Sequence, residues 1–170
     1  MSDSLHLARA LQRLVTDPHN GWLCPFSEAV SGVTAEQAAW VPAPGLNAIW
    51  ALVHHIRVEA EVVQRRLLGE PADYAALGAP DGWPESGMTV DEAAWQEACR
   101  SAVAAHEELA ALLETLSDEE LAQPVKPGWP SRRYWVQGLI AHTLYHTGQI
   151  VLLRRLQGNW EPLQWLPEGS

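Results

Sequence analysis

The sequence predicts an all-α protein, a four-helix bundle. Four long stretches carry apolar residues at helical spacing, Pro- and Gly-rich segments separate them, and no run shows the period-two alternation of a half-buried strand. The first helix is expected from about Asp3 to Val15, where Leu7, Ala8, Leu11, Leu14 and Val15 fall on one face. Asp17-Pro18-His19-Asn20-Gly21 breaks it. A helical piece around Pro25 to Val30 follows, and Thr34-Ala35-Glu36-Gln37 has the pattern of a capping box that opens another short turn. Pro42 and Pro44-Gly45 end that turn. The second long helix should begin with Asn47 as N-cap and end at Gly69 as C-cap. A Gly- and Pro-rich loop covers Glu70 to Gly87. Thr89 and Glu92 predict a capping box for a third helix reaching about Leu116. Ser117 to Glu120 opens a helical piece that Pro124 stops, and Pro127-Gly128-Trp129-Pro130 is a loop. The fourth long helix runs from about Arg133 to Leu156 and stops at Gly158, after which Pro162 and Pro167 oppose helix. The first connection, Asp17 to Leu46, is long enough to cross the bundle rather than form a tight hairpin.

The 170 residues suit a single domain, 1–170, and an apolar fraction of 47% supports a substantial core. Nine Trp against one Phe is unusual; most of these rings should pack, and some should line a pocket or an interface. A net charge of -10 argues against a nucleic-acid partner, which needs clustered Lys and Arg. The pairs Arg65-Arg66, Arg132-Arg133 and Arg154-Arg155 read as solvated helix surface, and no basic cluster forms an obvious cradle for an anionic cosubstrate. Cys24 and Cys99 lie far apart without a CxxC, so neither a disulfide framework nor a Cys-rich zinc site is expected. Both read better as small packed residues than as reactive thiols. Met1 to Leu14 lacks the pattern of a signal peptide, and no apolar run reaches the ~18 residues of a membrane span. A soluble protein in a reducing cytoplasm, with no membrane partner, is the expectation.

The chemistry concentrates on the fourth long helix. At 100° per residue, Trp135, Leu139, His142, His146, Ile150 and Leu153 form one stripe. Two imidazoles four residues apart stand one above the other on an apolar face, where each needs a partner. A shared divalent metal ion would satisfy both; two unrelated histidines are the competing reading. A third ligand should come from the second long helix. His55 shares its side with Ala48, Ala51, Val58 and Val62, a buried flank, whereas His54 shares its side with Asn47, Trp50, Arg57, Glu61 and Arg65 and is expected to face solvent. His55, His142 and His146 are therefore the candidate ligands. Three neutral imidazoles leave a coordination position for water or substrate, the mark of a catalytic rather than a structural site. Thr143 stands where a zinc protease would carry its catalytic Glu, which removes that reading. Glu59, Tyr145 and Gln149 are candidate supporting or substrate contacts, with a plain structural role equally open for each. His6, His19 and His106 read as surface or cap residues.

The segments NAIWALVHHI, containing His55, and AHTLYHTGQIVLLRR, containing His142 and His146, resemble the DinB/YfiT-like metal-binding bundles. The resemblance extends over most of the chain, including AAWVPAPGLNAIW ahead of the second long helix and Gly-Gln-Ile after the last His. It implies an up-down-down-up four-helix bundle, often a homodimer, with a metal held by one His of the second long helix and two of the fourth; these fall on His55, His142 and His146. The family's first ligand is followed by Ile, Leu or Val, here Ile56, although His54 stands where an apolar residue is usual. Characterised relatives include bacillithiol S-transferases and a mycothiol-dependent isomerase. The resemblance thus implies an enzyme of detoxification or stress response, a metal-dependent thiol transferase acting on a small-molecule substrate with a low-molecular-weight thiol as cosubstrate. Metal-assisted hydrolysis and a non-enzymatic metal-binding stress protein are the competing functions. Three imidazoles accept Zn or Ni first, and also Mn, Fe or Co.

Overall fold

The computed structural model describes residues 2–17, 23–84 and 91–160, and among these there are seven helices and no strand. They are α1 (Asp3–Val15), α2 (Phe26–Val30), α3 (Ala35–Ala39), α4 (Ile49–Leu68), α5 (Glu92–Thr115), α6 (Asp118–Ala122) and α7 (Arg132–Leu156). The four long ones, α1, α4, α5 and α7, form the bundle, and the three five-residue helices lie in its connections.

Local chemistry sets most of the ends. Ser2, Thr34, Ser117 and Ser131 each accept a backbone N–H of the first turn that the helix itself leaves unpaired, with complete capping boxes at Thr34 and Ser117. Two expected starts differ. The N-cap of α4 is Ala48 rather than Asn47, and no side chain caps it; tertiary packing of the buried Ile49, Leu52 and Val53 positions that end instead. The N-cap of α5 is Asp91, whose carboxylate accepts from Ala94 N at 2.7 Å. Glu92 faces away from a capping box and accepts from Ala35 N at 2.9 Å, joining α5 to α3; Thr89 lies outside the described residues. Gly69 ends α4 in the left-handed region, at φ 76°, and a Cβ there would meet Val125 Cγ1 at 2.8 Å, so both conformation and space call for glycine.

Two apolar clusters fill the bundle. One joins Leu14 and Val15 of α1, Ile49, Leu52 and Ile56 of α4, Trp95 and Ala102 of α5, and Ile150 and Leu153 of α7. The other joins Ala8 and Leu11, Ala60, Val63 and Leu67, Leu109 and Leu113, and Val136 and Leu139 of the same four helices. Residue order along α4 and α5 therefore runs one way between the clusters, and along α1 and α7 the other. Trp95 is fully buried, and its indole N–H donates to Val33 O, which ties α5 to the segment between α2 and α3. Truncating a fully buried residue such as Leu109 to Ala should cost about 2–5 kcal/mol.

The antiparallel packing of α4 on α7 creates the groove that matters for function. His55 meets His142 at one level, and Arg66 meets Trp135 toward the other end. The segment after α4 folds back over this pair: Ala79 packs with Val58 and Val62, and Arg57 donates to Leu77 O at 3.0 Å. That backbone return carries Gly82 and Trp83 to the histidines.

Candidate metal centre

His55 sits in the first half of α4, and His142 and His146 one turn apart in α7. Their Nε2 atoms converge: His142 Nε2 lies 3.0 Å from His55 Nε2 and 3.1 Å from His146 Nε2. His55 and His146 are buried and His142 is half-buried. The convergence depends on ring orientation, and two of the rings are held through their far nitrogens. His55 Nδ1–H donates to the carbonyl of Gly82. His146 Nδ1–H donates to Gln149 Oε1 at 2.8 Å. Protonation at Nδ1 leaves Nε2 of each ring as a lone pair aimed at the common point. A proton on His142 Nε2 could serve only one of those two acceptors at a time, whereas one cation between them engages all three.

The spacings of His142 from its two neighbours fit such an ion, and all three ligand atoms lie within 4.8 Å of one another. With N–metal bonds of about 2.0–2.1 Å, nitrogen ligands at tetrahedral angles stand about 3.3 Å apart and those at right angles about 2.9 Å. The two observed separations, 3.0 and 3.1 Å, fall between. The three histidines form a group that could hold a metal ion. Burial, followed by the neighbouring His146 and His55, pushes His142 down to about 4, which favours its neutral form. Burial also lowers His146, partly offset by its bond to Gln149.

One wall is aromatic. Trp83 stacks on the His55 ring with centroids 3.9 Å apart and planes within 8°, and turns its edge to His146 at 5.7 Å. Gly82 is buried at φ 80°, a backbone setting that presents its carbonyl to His55 and that a side chain would strain. Tyr145, 64% exposed, stands with its ring 4.9 Å from His146. Glu59, one turn beyond His55, accepts the Tyr74 hydroxyl at 3.0 and 3.1 Å through its two oxygens. Burial and then Glu59 raise the Tyr74 phenol above its usual range.

Behind the ligands, Thr143 of α7 is buried and hydrogen-bonded across to α5. Thr143 Oγ1–H donates to His106 Nε2 at 3.0 Å, and His106 Nδ1–H donates to Ala102 O at 2.8 Å. His106 is thus a core residue, 1% exposed, and not the surface or cap residue its isolation in sequence suggested. His54 is also not a solvent residue: it is half-buried against Gly78, takes a 3.2 Å contact from Arg57 to its Nε2, and burial lowers it to about 4. It points away from the triad all the same. His6 is exposed as expected, and His19 lies outside the described residues. Cys24 and Cys99 are half-buried, and burial pushes both thiols up to about 12, which removes thiolate character near neutral pH.

Comparison with known proteins bears on the family and the fold. The model of the DinB superfamily matches residues 26–150. The chain belongs to the DinB superfamily. A solved structure titled as the conserved protein of locus from Enterococcus faecalis is similar over 92% of this chain and 97% of that one, with a TM-score of 0.64 and 22% identity, which supports the fold. No curated protein matches the chain. In this superfamily member the matched span contains all three histidines, and no helix among the described residues is long and apolar enough to cross a membrane.

Proposed function

We propose that this DinB-superfamily protein binds a divalent metal ion, zinc or nickel foremost, through His55, His142 and His146, and transfers a low-molecular-weight thiol to a small electrophile in the cytoplasm. The observation that carries the reading is the convergence of three Nε2 atoms, two of them with tautomers fixed by carbonyl oxygens. When bound, the metal supplies Lewis acidity that lowers the pKa of a thiol placed beside it.

The chain's own groups do the rest. Gly82 O and Gln149 Oε1 hold the His55 and His146 rings in register. Trp83 covers one side of the triad and keeps water from it, which strengthens every charge interaction inside. Glu59, its carboxylate held by Tyr74, receives the proton that the thiol sheds. Tyr145 stands exposed beside His146, where an electrophile would approach. The test is a screen of metal-loaded protein with thiols and a chromogenic electrophile. Turnover that needs both thiol and metal supports the reading; metal-dependent turnover of an ester without thiol selects hydrolysis, and none in either format leaves a binding protein.

We further propose a homodimer joined along the outer face of α7. No charged residue occurs between Arg133 and Arg154, and Tyr134, Leu152 and Leu156 are all exposed along that face. The same apolar strip on a second copy is self-complementary about a two-fold axis. Light scattering should give twice the chain mass for wild type and a monomer for Leu152→Glu; a wild-type monomer refutes it.

A further inference from the structure

Farther along α4 and α7 from the histidines lies a cavity of about 610 Å³ lined by Arg66, Glu70, Lys126, Trp129, Pro130 and Trp135. Two cations from distant parts of the chain meet here, each above an indole. Arg66 Cζ lies 4.3 Å from the centre of the Trp135 ring, and Lys126 Nζ 4.9 Å from that of Trp129. The two indoles are themselves tilted neighbours, 6.4 Å apart. Among the described residues neither cation lies within ion-pair distance of a carboxylate. Glu70 lines the cavity without pairing with either. In a chain of net charge -10, two basic side chains without acidic partners beside aromatic walls are the features of a site for an anion with an apolar body.

The cavity is also in line with the triad. His55, Glu59 and Arg66 share one stripe of α4, and His142 and Trp135 share one stripe of α7. Seven residues separate Trp135 from His142, about 10 Å along the helix. Tyr74 links the two ends, bonding to Glu59 and lying close enough to Arg66 for that charge to act on its phenol.

We propose that this cavity is an anion subsite that takes the carboxylate end of a small extended ligand, Arg66 and Lys126 binding the charge and Trp129 and Trp135 the adjoining chain. The proposal deepens the thiol-transfer reading, on which it rests for the ligand's other end: the cosubstrate is an extended thiol with a carboxylate at the end far from its sulfur. Arg66 and Lys126 are 60 positions apart in sequence, which is why no basic cradle is visible before folding.

The probe is S-methylglutathione, an extended dicarboxylate whose sulfur cannot ionise, titrated calorimetrically into the full chain as purified, at low salt. Saturable binding is expected, about fivefold weaker in Arg66→Gln and in Lys126→Gln, and lost with the diethyl ester. No saturable binding by wild type, unchanged affinity in both variants, or equal binding of the ester overturns the subsite. Glutathione added to the cobalt(II)-loaded protein tests the other end separately. A sulfur-to-cobalt absorption band supports thiol docking at the triad, and its absence with S-methylglutathione binding intact refutes the thiol reading while the subsite stands.

Discussion

Replacing Gln149 with Leu removes one atom that the metal site needs and little else. Gln149 Oε1 accepts His146 Nδ1–H at 2.8 Å, and that bond fixes both the ring plane and the tautomer that leaves Nε2 free. Leu keeps the apolar bulk of a residue that lines a small cavity with Leu46, Leu52 and Leu153. The His146 ring would then sample orientations in which Nε2 leaves the common point, and the tautomer protonated at Nε2 would compete. Loss of such a supporting contact typically weakens metal binding 10–100-fold, about 1.4–2.7 kcal/mol. A neutral acceptor in a partly exposed position belongs toward the lower end of that range. Zinc affinity measured by competition with a chromophoric chelator should fall by about tenfold, with metal-free thermal stability changed by less than the loss of a core side chain would cause. Gln149→Glu, which keeps an acceptor and adds charge, should restore or improve affinity. Wild-type affinity in Gln149→Leu would refute the claim that this bond orients His146.

The same reasoning applies to the other ring. Gly82→Ala introduces strain at a positive φ, of order 1 kcal/mol, and displaces the carbonyl that His55 uses, so chelator competition should again show about tenfold weaker metal binding; unchanged affinity would contradict the role given to Gly82. His106 predicts acid sensitivity without reference to metal. Burial pushes it down to about 4 from an unfolded value near 6.5. Between those values the unfolded state binds the extra proton, so stability is full above the unfolded pKa and falls as pH drops toward about 4. The loss is of order 3 kcal/mol from this residue. Denaturant titrations of metal-free protein across that window should show it, and a His106→Gln variant should show a shallower pH dependence; identical slopes would place the acid sensitivity elsewhere.

Much of the candidate site is legible in sequence because it lies on helices, whose periodicity converts residue numbers into faces. His142 and His146 stand out by sharing a stripe with Leu139, Ile150 and Leu153, all buried. His55 is separated from His54 by its flank: Ala48, Val58 and Val62 are indeed buried. His106 carried a usable signal of the same kind. Ala102, Leu109 and Leu113 stand at i−4, i+3 and i+7 from it, and all three are fully buried. The true environment of His54 has another cause. A helical wheel knows nothing of the segment that folds over it, and Gly78 covers that ring. Gly82 and Trp83 left no sequence signal for a similar reason. A loop's docking is decided by long-range contacts such as Ala79 on Val58 and Val62, and the group that holds His55 is a backbone carbonyl that any residue type possesses. The start of α4 shows the converse limit, since a favourable N-cap at Asn47 yields to packing of Ile49 and Leu52.

The central claim is that His55, His142 and His146 together hold one divalent ion. Elemental analysis of wild type and of the single Ala variants at His54, His55, His142 and His146 tests it most directly. The account predicts one equivalent of metal in wild type and in His54→Ala, whose side chain faces Arg57 and Gly78, and strongly reduced metal in the other three. A wild type that takes up no divalent metal, or triad variants that all retain it, would contradict the account.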